Sequence, residues 1–308
     1  IIIPVITGLS HFKTWKNQKQ LNKFKRGIIK VAYTSDVVYI TNGYNTGISK
    51  IIGDAFREES LARRSDPTPN FYSLKESQTD IGVLIGILST SELKNAQLLN
   101  GSQEIFNYKV EDSHSGYFLN PDHTHFILVD DENIPIKLLK FRVALEKRLQ
   151  FPFLNKNSKK SQLNLSDNKI ISEISNDKIP IVSLLIGGGV GSISLVLTKI
   201  YQHSPILVFK GTGHAPDLIS SAYEDFADRF DNFSDNHLRT AITMRITEKF
   251  PKESKDDSTR NKIKDNLLQI LKNSNTQDFG NLICVIDSLS VNCELDDIDK
   301  YIILSLLQ

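Results

Sequence analysis

Ile181-Val182-Ser183-Leu184-Leu185-Ile186-Gly187-Gly188-Gly189-Val190-Gly191-Ser192 is an apolar run that ends on three consecutive glycines, with a fourth two residues on. The uncharged stretch around it, residues 179–198, matches the length of a membrane-spanning helix, roughly 20 residues. But the glycines sit at its middle, flanked by Ser183, Ser192 and Ser194, and consecutive glycines weaken a helix interior. Strand over Ile181–Ile186, glycine turn, then helix is the better reading.

The same unit recurs to either side. Ile2–Thr7 is strand-like and ends at Gly8; Leu21, Phe24, Ile28 and Val31 follow at helical spacing. Val37–Ile40 is a second strand, closed by Asn42-Gly43, and Ile48, Ile51, Ile52, Ala55 and Phe56 make one helix face. Gly82–Leu88 and His125–Val129 are further apolar runs, and Leu138, Phe141, Leu145 and Leu149 form a stripe. Ile206–Phe209 is the last predicted strand, followed by Leu218, Ile219, Ala222 and Phe226. Short apolar strands alternating with helices predict an α/β fold, Rossmann-like, with a mainly parallel sheet and helices on both faces.

The 308 residues carry 37 Lys and Arg against 36 Asp and Glu, a formal charge of +1, which argues against a dedicated nucleic-acid binder. Two cysteines, Cys284 and Cys293, are too few for a disulfide scaffold and read as buried thiols of a reducing compartment. The chain opens at Ile1 inside an apolar run, as an interior fragment would, and shows no signal peptide. The α/β domain is expected over residues 1–232, with residues 155–177, rich in Asn, Ser, Lys and Asp, as a flexible insertion. Ser60–Ser77, with Pro67 and Pro69, reads as a loop. After about Phe233 the strands are expected to stop, leaving 233–308 as a helical extension with helices near Ile263–Leu271 and Leu295–Leu307.

Glycines after a buried strand let backbone N–H groups approach an anion, and the helix that follows adds its positive end. Gly188, Gly189, Gly191 and Ser192 are therefore candidates for phosphate approach, the alternative being a tight turn with no ligand. Gly211-Thr212-Gly213-His214 forms a second such turn, where Pro216 and Asp217 suit a helix start. A third is Thr41-Asn42-Gly43-Tyr44-Asn45-Thr46-Gly47. In a parallel sheet all three lie on one edge, so together they predict a ligand site more strongly than any one does. The glycine pattern is neither a dinucleotide-binding fingerprint nor a Walker loop.

Gly188, Gly189, Gly191 and Ser192 resemble the first part of the G-G-x-G-T-x-x-E motif of cytokinin-activating phosphoribohydrolases. That motif's glutamate falls on Leu195, which cannot exchange a proton, so a nucleotide-shaped pocket without hydrolysis is expected. A wider resemblance runs the length of the chain. Lys25-Arg26-Gly27 to Ala32, Val38-Tyr39-Ile40-Thr41-Asn42-Gly43 to Gly47-Ile48, and His123-Thr124-His125-Phe126-Ile127-Leu128-Val129-Asp130 come in order. They are followed by Phe141-Arg142 to Leu145-Glu146-Lys147, Ile179-Pro180-Ile181-Val182 to Gly189, Val208-Phe209-Lys210-Gly211-Thr212-Gly213 to Leu218, and Asp297-Ile298-Asp299 to Leu304. In that order they resemble the amino-terminal region of melastatin-type transient receptor potential (TRPM) cation channels.

The resemblance implies a SLOG-type α/β fold and a cytosolic regulatory and assembly domain of a calcium-permeable channel. It implies as partners the other subunits of a homotetramer, and a plasma membrane reached only through the rest of the chain. Some members bind ADP-ribose in this domain, which makes a nucleotide or phosphoribose the expected ligand class. Arg142 matches the family's basic helix position and would be the ligand's charge partner. His214 stands where ADP-ribose-gated members have an arginine, so bidentate phosphate recognition is lost there. No catalytic or metal residue is assigned. The alternatives are a phosphoribohydrolase-like enzyme and a subunit-packing domain that binds nothing. His123 and His125 alternate at strand period and would share a face, where packing or hydrogen bonding outweighs a metal pair. Asp130-Asp131-Glu132 reads as a solvated loop.

Overall fold

The computed structural model describes residues 1–8, 18–65, 81–99, 108–110, 117–132, 134–151, 178–227, 235–276, 280–290 and 293–307. The first part of the chain folds as β1 (Ile2–Ile6), α1 (Gln18–Thr34), β2 (Val38–Thr41), α2 (Gly47–Ser65), β3 (Val83–Ser89), β4 (His125–Val129) and α3 (Pro135–Leu149). The second folds as β5 (Ser183–Leu185), α4 (Val190–Tyr201), β6 (Ile206–Lys210), α5 (His214–Ala227), α6 (Asp235–Lys249) and α7 (Asp257–Asn273). A small antiparallel pair, β7 (Asn275–Thr276) with β8 (Gly280–Asn281), then leads to β9 (Ile283–Asp287) and α8 (Ile298–Leu307).

Seven strands form one sheet in the order β4-β3-β2-β1-β5-β6-β9, and every neighbouring pair is parallel. The chain builds outward from β1 to β4, returns to the other side of β1, and builds outward again. β1 is central and buried along its whole length, as a strand covered on both faces must be. Its ladder with β5 pairs Ile2 with Ile181 and resumes at Val5↔Leu184; Pro4, which has no N–H, falls in the gap.

Alternation along the strands divides the core. Ile3, Val5, Tyr39, Leu84, Leu184 and Phe209 face α1, α2 and α8. Ile6, Leu185, Ile206, Val208 and Ile283 face a core shared with α4, α5, α6 and α7. Ile2, Ile40 and Ile87 meet the Leu138, Leu145 and Leu149 stripe of α3. The predicted α/β architecture is therefore present, with helices on both faces.

Three expectations are corrected. The strands do not stop near Phe233: β9 pairs with β6 from Ile206↔Ile283 to Lys210↔Asp287, so the sheet continues well past residue 232. Leu282–Ile286 is a short apolar run after Gly280-Asn281, which is a strand signature set among helices. The predicted loop at Ser60 begins later, because α2 runs to Ser65, with Arg63 and Arg64 suited to a helix C-terminus; its remainder lies outside the described residues, as does the expected insertion at 155–177. The thiols of Cys284 and Cys293 are free but only half-buried, and both rest against the α1/α2/α8 core. Helix α6 lies in the stretch expected to be helical but is not placed individually by the sequence; among its described side chains Leu238, Ile242 and Ile246 are buried, a stripe too narrow to read among three threonines.

Candidate functional site

Strand order reverses at β1 and β5, the position where the connections of an open parallel sheet part and leave a crevice beyond the carboxyl ends. Two glycines meet there. A Cβ added to Gly8 would lie 3.0 Å from Gly188 Cα, and one added to Gly188 would lie 3.4 Å from Gly8 N. Gly188 has φ +102° and leaves no room beside Ser192, whose Oγ would stand 2.2 Å from its Cβ. Gly189 then caps the start of α4 without a side chain. Gly191 differs: its Cβ would meet nothing within 4 Å among the described residues.

The turns after β5 and β6 are one hydrogen-bonded unit. The Gly187 N–H donates to Thr212 Oγ1 at 3.0 Å, while the Thr212 hydroxyl donates to Phe209 O at 2.6 Å. Ala215 N–H donates to Gly188 O at 3.2 Å. Gly211 N–H donates to Asp217 Oδ1 at 2.6 Å, which closes the turn from the helix side. Gly211 is packed under Leu289 from the β9 turn, and Gly213 has φ +115°. His214 donates from Nδ1 to Lys249 O at 2.7 Å, its ring against Phe250. Its imidazole is thus engaged at the carboxyl end of α6.

The turn after β2 is tied down from a distance. Thr41 Oγ1 accepts from Gly43 N–H at 2.9 Å, and Asn42 Oδ1 accepts from Tyr44 N–H at 3.3 Å and from the Ser49 hydroxyl. Gly43 (φ +68°) crosses β3 so closely that its Cβ would lie 2.7 Å from Gly86 Cα. Thr46 N–H donates to Tyr44 O, which bends the chain toward Gly47, whose Cβ would sit 4.0 Å from Gly8 O. Gly8 therefore links the β2 turn to the β5 turn, and the three predicted turns do converge.

His123 holds this last turn. It precedes β4 and is buried, whereas His125 is exposed, so the two do not share a face. The loop before β4 is not extended, which breaks the strand period. Asn120 Oδ1 accepts from Asp122 N–H, and it can only accept from His123 Nδ1 at 3.0 Å. The ring is therefore protonated on Nδ1, and Nε2 accepts from the Thr41 hydroxyl at 2.7 Å. Burial holds its pKa down at about 4.

Arg142 lies beneath the same edge. Its Nη2 donates to Val5 O at 3.0 Å and Ile40 O at 3.2 Å, near the ends of β1 and β2. Its Nε donates to Glu146 Oε1 at 2.8 Å, and Lys199 of α4 donates to Glu146 Oε2 at 2.5 Å. Burial works to raise the Glu146 carboxyl, but the two cations outweigh it and hold it below the usual range. Lys199 is lowered by burial, against the pull of Glu146. Arg142 is thus a buried member of an ion triad that ties α3 to α4 and to the sheet.

Asp131 departs from the solvated-loop reading. It is buried, and its Oδ1 accepts from the hydroxyls of Ser89 at 2.7 Å and Ser91 at 3.2 Å. Leu195, at the position of the hydrolase glutamate, is buried in the α4 side of the core. Among the described residues no group of three or more His, Cys, Asp or Glu side chains could hold a metal ion, and no helix is long and apolar enough to cross a membrane. Gly8 and Gly86 belong to the edge but were not among the predicted site residues. The signals were present, a glycine closing the first strand and another inside a strand. Nothing local marks Asn120 as a partner of His123.

The family described as SLOG in TRPM (LSDAT_euk) matches residues 1–270. The human transient receptor potential cation channel subfamily M member 6 is 28% identical over 232 residues, 74% of this chain and 10% of its own length. The Nematostella vectensis subfamily M member-like 2 is 26% identical over 275 residues, 86% of this chain and 16% of its own. Rat subfamily M member 2 is 29% identical over 230 residues, covering 71% and 13%. The chain therefore spans only a small part of the length of these relatives.

Proposed function

The chain belongs to the SLOG in TRPM family, and from that membership we propose that it is the cytosolic regulatory and assembly region of a TRPM-like, calcium-permeable cation channel. Its partners are then other subunits of the same channel, a homotetramer, and it meets the plasma membrane only through the rest of the protein. A ligand or subunit contact here acts on the pore by favouring one channel state over another.

We further propose a nucleotide- or phosphoribose-type ligand at the β1/β5 crevice. The observation that carries it is the approach of the glycine backbones at Gly8, Gly47 and Gly188 where strand order reverses, with the β6 turn bonded on through Thr212 and Ala215. Gly188, Gly189, Gly191 and Ser192 present backbone to a phosphate. Gly211, Thr212, Gly213 and His214 make a second wall and Thr41, Asn42, Gly43 and Thr46 a third, with Arg142 contributing positive charge from below. Gly191 supports this reading most directly, since no neighbour among the described residues requires a glycine there. ADP-ribose would find no guanidinium at position 214, where this chain has His214.

Calorimetry of the 308-residue chain with ADP-ribose and other nucleotides tests the site. Saturable heat that Gly191→Ala weakens at least tenfold, with folding intact, is the expected result. Silence across the panel would leave a subunit-packing domain. The chain is proposed not to be an enzyme, because Leu195 offers no proton-transfer group; base release from a nucleoside monophosphate would overturn that.

A further inference from the structure

We propose that His123 is a proton sensor that releases the Thr41-Asn42-Gly43 turn, and with it one wall of the β1/β5 crevice, as the pH falls. The site is built for one protonation state. Nδ1–H is committed to Asn120 Oδ1, and Nε2 must accept from the Thr41 hydroxyl. Thr41 Oγ1 in turn accepts the Gly43 N–H, so the imidazole sets the orientation of the hydroxyl that pins the turn. A second hydrogen on Nε2 would face that oxygen, and the buried Thr41 hydroxyl would lose its acceptor. The neighbouring groups are already engaged with one another, since Asn120 Nδ2 donates to Asn45 Oδ1 and Asn120 N–H donates to Gly43 O.

The charged groups around the ring are committed elsewhere. On its own loop Asp122 is paired with Arg57 of α2 at 3.0 Å, and Arg57 also holds Asp54, which Lys50 approaches at 3.6 Å. From α3, Arg142 reaches Ile40 O, one residue before Thr41. Beyond the turn, Glu92 and Asp131 lie around the Tyr44 hydroxyl. His125 on β4 is exposed and bonded to Thr124. Phe126 stacks on the ring with centroids 5.7 Å apart. Among the described residues no carboxylate bonds to the imidazole to support an imidazolium.

An opened turn returns His123 to water and to its ordinary pKa of 6.5, against about 4 when closed. The open-to-closed ratio then rises roughly twenty-fold between pH 7 and pH 5. Amide hydrogen exchange of Gly43 and Tyr44 in the ligand-free 308-residue chain, corrected for intrinsic rates, reads this ratio. A rise of about that size is expected, together with an NMR titration of the His123 ring well below 6. His123→Gln, which stays neutral, is expected to abolish the pH dependence. Protection of Gly43 unchanged from pH 7 to 5 in the wild-type chain, or a ring titrating at 6.5 with the turn still closed, would overturn the proposal. Because no ligand is used, such a failure leaves the proposed nucleotide site untouched.

Discussion

Gly188 and Gly191 stand three residues apart and answer to different constraints. Gly188 is held at φ +102° with Ser192 Oγ where its Cβ would be, so an alanine there is strained in backbone and side chain alike. Gly188→Ala is expected to cost about 1–3 kcal/mol, the usual range for a misplaced left-handed residue. Gly191 sits in the first turn of α4, and its Cβ would meet none of the described residues within 4 Å. Gly191→Ala is therefore expected to stabilise the chain by about 0.5–1 kcal/mol, chiefly by restricting the unfolded state. Urea unfolding of the two variants checks both, and destabilisation by Gly191→Ala would mean that its glycine answers to the fold after all. Of four glycines that look alike in sequence, one at least has no packing reason to be glycine among the described residues, and only the three-dimensional neighbours separate it.

At the scale of elements, the ion triad of Arg142, Glu146 and Lys199 decides how α3 and α4 sit against the sheet. Glu146 carries the single negative charge between two buried cations, and its side chain is fully enclosed. Glu146→Gln leaves both cations without a counter-ion and is expected to cost about 3–5 kcal/mol. Lys199→Met removes one cation and leaves the Arg142–Glu146 pair intact, so a smaller loss is expected. Because the Glu146 pKa is lowered in the fold, its contribution is present above the ordinary carboxylate value of 4.5. It is lost as the pH falls through the lowered one, where the unfolded chain binds the proton first. Lys199 is lowered as well, so stability gains from it only toward alkaline pH. Unfolding curves between pH 5 and 2 are expected to show a shallower acid slope in Glu146→Gln than in the wild type; parallel slopes would remove the triad from acid stability.

The triad also marks the limit of what local sequence could reveal. Strands were legible because buried parallel strands read as apolar runs closed by glycine, and the three turns followed from them. Arg142 was legible as a basic residue on a helix with Glu146 four residues on, but Val5 lies 137 residues from it and the Lys199 that shares Glu146 lies 53 residues from that carboxylate. The same holds for His123, whose environment is assembled from β2 and a separate loop. Strand β9 was missed for a different reason: five residues of apolar run among helices carry too little pattern to outweigh their surroundings.

For the whole molecule, the carboxyl-terminal residues belong to the fold and are not an extension attached to it. Ile286 of β9 and Leu295, Ile298 and Ile302 of the last segment lie in the core with α1, while Ile283 lies in the opposite core. Lys23 and Arg26 of α1 approach Asp296, and Lys30 meets Asp297 and Asp299. Gly27 records this docking inside α1. A mid-helix glycine costs about 1 kcal/mol relative to alanine, yet its Cβ would lie 2.2 Å from Leu295 O, so the helix keeps a gap into which the later segment fits. Two outcomes follow. A chain ending at residue 232 strips β9 from the sheet edge and uncovers α1, and it is expected to lose cooperative unfolding that the 308-residue chain shows. Gly27→Ala in the full 308 residues is expected to lower the urea midpoint although it raises helix propensity, because backbone at Leu295 cannot yield as a flexible side chain would. A raised midpoint would mean that α1 and the carboxyl-terminal segment are not packed together in solution, and the docking of α8 would fall with it.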